Sequence, residues 1–334
     1  MVKRNFLRTA ECVTPKHPDK LCDQISDAIL DFCLMQDRNS RVAVETLGGH
    51  GKIVVMGEVT FDGILEDKDI YKIIERITGY SKKQVSINIV KQSKEISRGV
   101  DTGGAGDQGI MIGYACKGNP ELVPQEYYLA RNLCRFLYIH KGYSYDGKTQ
   151  ITLNENNDIS TIVASFQKVS AEGLRNAIEE WLKFIFPTSK AAINLQIFCN
   201  PAGNWTQGGF DADTGLTGRK LMVDNYGPQV SIGGGAFSGK DATKVDRSGA
   251  YMAHKIARDL LRSENANEVL VKLAYSIGVS EPVMAIADVD GKIITLDAER
   301  LTPSDIIRIL KLKEPQFEET AKWGHFGNGF TWDK

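Results

Sequence analysis

A glycine-rich stretch, GGGAFSGKDATKVD at residues 233–246, carries the side chains best suited to binding an anion. Its glycines let the main chain approach a ligand closely, and Lys240 and Lys244 supply positive charge. The spacing is almost that of a phosphate-binding P-loop, but Asp241 stands where that loop has the hydroxyl that binds Mg²⁺. The stretch therefore predicts an anion site that takes its metal ligand from elsewhere. Asp246, in the first turn of the following predicted helix, is the candidate.

A second glycine-containing motif, GLTGRK at residues 215–220, adds Arg219 and Lys220. Four cations near glycines, together with the exposed N–H groups of a helix start, are typical of a polyphosphate site. Thr243 is the expected cap of that helix. The ordinary alternative for such a loop is a flexible hairpin connection before an ordinary helix.

The elements that must position these motifs alternate along the whole chain. After His17-Pro18, the apolar spacing of Leu21, Ile25 and Ile29 predicts a helix. Residues 41–47 and 52–61 predict a hairpin. Further helices are predicted around 67–77, 125–139, 170–186, 245–261 and 302–312, further strands at 84–91, 149–153, 159–168, 191–198, 220–224 and within 268–290, and a mobile loop at 99–109. A helix with its strands recurs three times, and 334 residues favour two or three packed units over one.

Composition excludes several classes of partner. The 41 basic and 42 acidic residues give no charge excess for a nucleic acid, and no apolar run approaches the roughly 18 residues of a membrane span. The six cysteines form no C-x-x-C pair, and the start MVKRNFLRTAEC lacks the apolar region of a signal peptide. We therefore expect reduced thiols and a cytoplasmic location.

Five motifs occur in collinear order along the chain: HPDK, DQISDA, GAGDQG, GLTGRK and GGGAFSGKD. In these segments the sequence resembles the S-adenosylmethionine synthetases, which join methionine to the adenosyl group of ATP. The resemblance implies an α+β fold of three similar, intertwined domains with pseudo-threefold symmetry, each a mixed sheet covered by helices, at about residues 1–100, 107–205 and 207–334. It also implies ATP and L-methionine as substrates, and a homodimer or dimer of dimers with active sites at the subunit interface.

The resemblance further implies residue roles. The triphosphate is expected to be surrounded by His17, Lys148, Arg219, Lys220, Lys240 and Lys244. Asp19 and Asp246 are expected to bind Mg²⁺, and Glu45 to serve a K⁺ site. Methionine and the adenosyl group are expected to contact Glu58, Gln92, Asp107, Asp146, Trp205, Asp213 and Ala236. Since a thioether sulfur has no proton to lose, its attack on C5′ of ATP needs alignment and stabilisation of the leaving tripolyphosphate more than a general base.

Each of these residues has a more ordinary interpretation. Asp23, Asp27 and Asp31 follow Asp19 at four-residue intervals, which is typical of a solvated helix face, and we predict that role for these three. A lone histidine such as His17 is more often structural than catalytic. Glu45 and Glu58 lie in β-rich runs that often face solvent, Asp107 is typical of a turn, and Lys148 of a hairpin turn.

The chain also departs from the family pattern. Asn204-Trp205 stand where the family usually has Arg-Phe, the gate between Gln92 and Asp107 is short, and the whole chain is shorter than typical members. Two alternatives to an active synthetase follow. One is a non-catalytic nucleotide-binding paralogue that pairs with another subunit, and the other is an unrelated P-loop kinase, which Asp241 disfavours.

Overall fold

The computed structural model describes residues 6–92, 103–186 and 195–334 of the chain. Most of the predicted gate between Gln92 and Asp107, and the first half of the strand predicted at 191–198, lie outside the described residues.

Twelve strands lie within the described ranges. They are β1 (Arg8–Val13), β2 (Arg41–Gly49), β3 (Lys52–Thr60), β4 (Val85–Val90), β5 (Gly109–Cys116), β6 (Gly147–Leu153), β7 (Ile159–Phe166), β8 (Gln196–Cys199), β9 (Gly215–Leu216), β10 (Glu268–Tyr275), β11 (Met284–Val289) and β12 (Lys292–Thr295).

The same ranges contain eight α-helices. They are α1 (Pro18–Gln36), α2 (Asp67–Thr78), α3 (Gln125–Arg135), α4 (Ala171–Ile185), α5 (Leu221–Asp224), α6 (Val245–Ser263), α7 (Pro303–Ile309) and α8 (Phe317–Trp323). None of the helices in the described part of the chain is both long and apolar enough to cross a membrane.

The strands form three four-stranded sheets that exchange edge strands. Their orders are β1-β6-β7-β8, β12-β11-β10-β5 and β4-β3-β2-β9. In each sheet the edge strand from a distant part of the chain (β1, β5 or β9) runs antiparallel to the first strand of a hairpin. This cyclic exchange confirms the predicted α+β fold of three similar, intertwined units.

The three sheets differ in their fourth strand. Helix α2 connects β3 to a parallel β4, and α4 lies between β7 and a parallel β8, so these two sheets are mixed. The third sheet is antiparallel throughout, because a tight turn at Asp290-Gly291 joins β11 directly to β12. The expectation of a mixed sheet in every unit is therefore wrong for the third.

Helices α1, α3 and α6 each precede a hairpin and pack on the sheets. One large apolar core joins α1, α2 and α6 to two of the sheets. A smaller core lies under α3 and α4, where the Trp181 side chain is fully buried. Each unit therefore buries its sheet against helices. The N-terminal ends of α1 and α6 lie close to glycine-rich loops.

Two local predictions are wrong. Residues 220–224 form the short helix α5 rather than a strand, because the buried Val223 packs inward and its carbonyl accepts a hydrogen bond from the Tyr127 hydroxyl. Thr243 does not cap α6, because Lys244 occupies the N-cap position. The Thr243 hydroxyl instead donates to Asp241 Oδ1 at 2.6 Å.

Candidate active site

The start of α1 holds a first group of charged side chains, the histidine cluster, made of His17, Asp19, Lys148, Arg219 and Lys220. His17 is the N-cap of α1, and its Nδ1 accepts the main-chain N–H of Asp19 at 3.2 Å. Asp19 Oδ2 accepts from Lys220 Nζ at 2.6 Å, and its Oδ1 accepts from the N–H of Leu216 at 3.0 Å. Asp19 therefore ties the first turn of α1 to the GLTGRK motif.

The electrostatics of this cluster set the protonation states. Burial, together with the charges of Lys220 and Lys148, lowers the pKa of His17 to about 3. The imidazole is thus neutral at neutral pH, with Nδ1 as acceptor and Nε2–H as donor. Burial alone would raise the pKa of Asp19, but the hydrogen bonds from Lys220 and the Leu216 N–H lower it below its ordinary value. An ionised carboxylate, a neutral imidazole and several cations therefore share one site.

Asp146 and Asp213 lie next to the histidine cluster. Asp146 Oδ2 accepts the N–H of Gly209 at 2.9 Å, and burial raises the pKa of Asp146 while Lys148 opposes the rise. The charge of Asp213 acts on both Asp146 and His17. The loop from Trp205 to Gly209 borders the same region, where a cavity of about 220 Å³ opens beside Asp146. Asp213 therefore lies close to both His17 and Asp146, and Asp146 lies close to Lys148.

Lys148 is not in a hairpin turn, as its ordinary interpretation would have it. It lies in β6, where its side chain is exposed, and pairs in register with Val13 of β1. The swapped strand β1 thus leads from Lys148 toward His17.

A second group, the loop cluster, consists of Lys240, Lys244 and Asp246. The ammonium of Lys240 pairs with the Asp246 carboxylate, and that of Lys244 pairs with Asp241. A Cβ on Gly235 would lie only 2.3 Å from Asp246, so the loop can pass over this carboxylate only as glycine. The glycine-rich stretch is therefore shaped around Asp246.

The glycine-rich stretch also links the two clusters. A Cβ on Gly218, in the GLTGRK motif, would lie 2.5 Å from the Cβ of Ala236. Across residues 6–92, 103–186 and 195–334, no hydrogen bond or ion pair joins the histidine cluster to the loop cluster. Each cluster thus presents one aspartate and several cations on its own side of Ala236.

Strand pairing brings Glu45 and Glu58 to the side of Lys240. Ala43 pairs in register with Glu58 and forms an isolated bridge with Lys240. Directly paired residues share one face of a sheet, as do residues two apart on a strand, so Ala43, Glu45, Glu58 and Lys240 have a common face. The side chain of Glu45 is exposed on it.

Gln92 and Asp107 lie on either side of the segment that is not described. The N–H of Gln92 donates to Thr60 Oγ1 at 3.2 Å, two residues along β3 from Glu58. The carboxylate of Asp107 accepts the N–H of Gln108 at 2.8 Å, as expected for a turn aspartate. The part of the predicted mobile loop that is described is anchored, because Ala105 N–H donates to the carbonyl of Val279 at 2.9 Å.

The aspartates predicted to form a solvated helix face are instead structural. Asp27 forms a buried pair with Arg247, Asp23 accepts the N–H of Gly218 at 2.8 Å, and Asp31 accepts three main-chain N–H groups at the start of α8. The cause is the burial of α1 on all sides, with apolar residues that are not confined to one stripe: Leu21, Cys22, Ile25, Ala28, Ile29, Leu30, Cys33 and Leu34. Apolar residues on every side of a helix indicate that the whole helix is buried. This pattern in the sequence therefore indicated that the carboxylates of α1 need hydrogen-bond or ion-pair partners.

The carboxylates fit a metal that is shared with a substrate. In the described part of the chain no group of three or more histidine, cysteine or acidic side chains could hold an ion alone. Mg²⁺ commonly uses one or two carboxylates and completes its shell with water and substrate phosphates. Asp19 and Asp246, each beside a lysine ammonium, meet that requirement.

Two cation–carboxylate clusters joined by a glycine-rich loop are typical of the polyphosphate sites of enzymes. Family models of the N-terminal, central and C-terminal domains of S-adenosylmethionine synthetase match residues 5–99, 102–205 and 207–334. The chain belongs to the S-adenosylmethionine synthetase family, the metal-dependent transferases that make S-adenosylmethionine from ATP and methionine.

Bacterial relatives cover nearly the whole chain. The S-adenosylmethionine synthase of Helicobacter hepaticus is 39% identical over 372 positions, which cover 100% of this chain and 96% of the relative. That of Salinibacter ruber is 39% identical, covering 98% and 95%, and that of Nitratiruptor sp. is 40% identical, covering 99% and 96%. Because 334 residues extend over 372 aligned positions, this chain has gaps where the Helicobacter relative has residues, as expected from its short length.

Proposed function

We propose that the sulfur of L-methionine attacks C5′ of ATP and that the whole tripolyphosphate leaves, to be hydrolysed afterwards to phosphate and pyrophosphate. The observation that carries this proposal is the presence of two separate lysine–aspartate pairs, Lys220 with Asp19 and Lys240 with Asp246, on either side of one glycine-rich loop. A leaving group with several negative charges requires cations on more than one side.

The proposed contacts of the triphosphate are His17, Lys148, Arg219, Lys220, Lys240 and Lys244. His17 contributes the Nε2–H of a neutral imidazole, since its pKa of about 3 rules out a charged ring at neutral pH. The ammonium groups of Lys220 and Lys240 would move from carboxylate to phosphate, because Asp19 and Asp246 would then have a metal ion as counter-charge.

The proposed metals are Mg²⁺ at Asp19 and Asp246 and K⁺ at Glu45. Bound Mg²⁺ would neutralise phosphate charge and stabilise the departing tripolyphosphate. Mg²⁺ suits the aspartates because oxygen ligands and an incomplete protein shell favour it.

Methionine and the adenosyl group are proposed to occupy the surroundings of the clusters. Their contacts are Glu58, Gln92, Asp107, Asp146, Trp205, Asp213 and Ala236. The closeness of Asp213 to His17 and of Asp146 to Lys148 supports this assignment, as does the strand face that Glu58 shares with Lys240.

We further propose a homodimer or dimer of dimers with the active sites between subunits. The sheet β4-β3-β2-β9 exposes Leu47, Met56 and Val90, whose side chains are 43, 50 and 52% accessible. Apolar side chains on the face that carries Glu45 and Glu58 are typical of an obligate interface. A cytoplasmic location and domain limits at 1–100, 107–205 and 207–334 complete the proposal.

Product stoichiometry tests the reaction. Purified protein with ATP, methionine, Mg²⁺ and K⁺ should give one sulfonium product per phosphate and per pyrophosphate. Methionine-dependent accumulation of ADP would instead indicate a kinase, and absence of turnover in spite of ATP binding would indicate a non-catalytic paralogue.

A further inference from the structure

A cavity of about 540 Å³, the basic cavity, lies between the C-terminal end of α1 and helix α7. It shares with the loop cluster only the neighbouring segment 241–243. Five basic side chains line it: Arg38, Arg41, Arg308, Lys311 and Lys313. Among the described residues that line it, Asp241 and Glu314 are the two carboxylates.

Both carboxylates already have cationic partners. Arg38 Nη1 lies 2.8 Å from Glu314 Oε1, and Lys244, which is outside the cavity lining, pairs with Asp241. Among the described residues neither Lys311 nor Lys313 forms an ion pair with a carboxylate, and Lys313 Nζ donates to the amide oxygen of Asn39 at 2.6 Å. Arg308 Nη2 also pairs with Asp305 Oδ1 at 2.7 Å, just outside the lining, so the excess positive charge of the cavity comes from Lys311 and Lys313. That excess favours an anionic ligand.

The remaining walls are apolar or carry hydroxyl groups. Leu34, Pro303, Ile307 and Leu312 provide carbon surface, and Leu34 and Leu312 are almost fully buried. A volume of about 540 Å³ is in the range of sites for small organic molecules. Cations beside an apolar wall suit a carbon skeleton that carries a phosphate group.

The cavity has a direct structural connection to Lys244. Asp241 borders the cavity, pairs with Lys244, and accepts the N–H of Val42 at 2.7 Å and that of Thr243 at 2.9 Å. We propose that the basic cavity binds a small phosphorylated organic anion, and that this anion adds to the attraction of Asp241 for Lys244 and so weakens ATP binding. The second part rests on the proposed role of Lys244 at the triphosphate, whereas the binding itself does not.

Calorimetry on the full chain without ATP or metal tests the binding. The probes are 1-naphthyl phosphate, inorganic phosphate and 1-naphthol, which separate the anion from the carbon skeleton. We expect 1-naphthyl phosphate to bind at least about tenfold more tightly than either of the others. It alone has both a phosphate for the basic side chains and a carbon skeleton for the apolar wall. Absence of saturable heat, or equal binding of all three, would overturn the proposal.

Variants locate the bound probe. Arg308→Gln with Lys311→Gln should weaken 1-naphthyl phosphate binding at least about tenfold, whereas Lys240→Ala should leave it unchanged. The matched control is Arg300→Gln with Lys292→Gln, which removes an arginine paired to a nearby aspartate and an exposed lysine outside the cavity. Binding that survives the cavity variant, or that is lost in Lys240→Ala, contradicts the location, provided that melting temperatures show folded protein.

Kinetics test the connection to Lys244. Saturating 1-naphthyl phosphate should raise the KM for ATP at least about twofold in the native chain and leave it unchanged in the Arg308→Gln, Lys311→Gln variant. An unchanged KM in the native chain overturns the connection. A rise that persists in the variant shows competition at the ATP site and overturns it as well.

Discussion

Asp27 and Arg247 form a two-pronged ion pair in the interior, with Nη1 to Oδ1 at 2.6 Å and Nη2 to Oδ2 at 2.9 Å. Asp27 belongs to α1, which begins beside Asp19, and Arg247 follows Asp246 directly in α6. Neither side chain is exposed, so this buried pair directly connects the two helices whose first turns carry the proposed magnesium ligands.

Asp27→Asn should therefore destabilise the fold strongly. Removing one partner of a buried pair leaves the guanidinium of Arg247 uncompensated, which costs about 3–5 kcal/mol of unfolding free energy. Urea denaturation measures the loss. Arg76→Gln is the control, because it breaks an equally two-pronged but more exposed pair with Glu318 and should cost less than about 1 kcal/mol. Similar costs for both variants would show that the buried pair does not hold the helices together.

Asp19→Asn and Asp246→Asn should each keep the fold and lower turnover at least about a hundredfold, the usual effect of losing a major electrostatic contact to the transition state. Steady-state kinetics over a range of Mg²⁺ concentrations measures this. Asp259→Asn, at an exposed position of α6, is the matched control and should retain turnover. Near-native rates in both site variants would place the metal elsewhere.

Mixing the two inactive variants adds a test of the subunit arrangement. If Asp19 of one subunit and Asp246 of another serve the same site, co-refolded dimers should regain about a quarter of native activity, because half are hybrids with one intact site. A mixture that stays inactive would place both aspartates of a site in one subunit.

Lys240→Ala should lower kcat more than it raises the KM for ATP, since charge moves onto the tripolyphosphate only as the bond to C5′ breaks. Full rate curves with each substrate separate the two effects. Asp241→Ser provides the contrast with a P-loop, in which a hydroxyl at this position would help. Here Asp19 and Asp246 are the proposed metal ligands, and the change removes the acceptor for the Val42 N–H, so activity should not rise. A change in the KM alone, or a more active Asp241→Ser variant, would indicate an ordinary nucleotide loop.

Asp333 should contribute to stability except in acid. Burial would raise its pKa, but the hydrogen bond and charge of His254 and the N–H of Gly327 lower it to about 2. Because the folded pKa lies below the unfolded value, the stabilisation of about 2–3 kcal/mol is complete above roughly pH 4 and is lost as the pH falls toward 2. Asp333→Asn should lose it at neutral pH and show a shallower decline of unfolding free energy between pH 4 and 2. A decline as steep as in the native chain would contradict this role.

The sequence predicted the fold and the grouping of the motifs more successfully than the roles of single acidic residues. Helix α1 and the hairpin β2-β3 have strong local patterns, and the structure has both. The prediction of a solvated face for Asp27 was wrong because no local pattern predicts its ion pair with Arg247, which is 220 residues away in the sequence. Residues 220–224 were predicted to be a strand from their β propensity, which takes no account of tertiary packing. In the structure Leu221–Asp224 are helical and Val223 is buried.

Asn204, which stands where the family usually has an arginine, forms a structural hydrogen bond. Asn204 Oδ1 accepts the N–H of Ala171 at 3.0 Å, next to the start of α4. The side-chain amide therefore accepts a hydrogen bond at the N-terminal end of α4, and Nε1 of the neighbouring Trp205 donates to Asn200 Oδ1 at 3.4 Å. The substitution was visible in the sequence, but its hydrogen bond depends on a contact 33 residues away.

The central claim, attack at C5′ with departure of the whole tripolyphosphate, is tested most directly with ATP that carries ¹⁸O in the bridge between C5′ and the α-phosphorus. Mass spectrometry of the products locates the label. Cleavage of the C5′–O bond leaves all the ¹⁸O in the phosphate and pyrophosphate, with none in the adenosyl sulfonium product, and this is the expected result. Label retained on an adenosine-containing product would mean that a P–O bond breaks instead, which would contradict the proposed reaction.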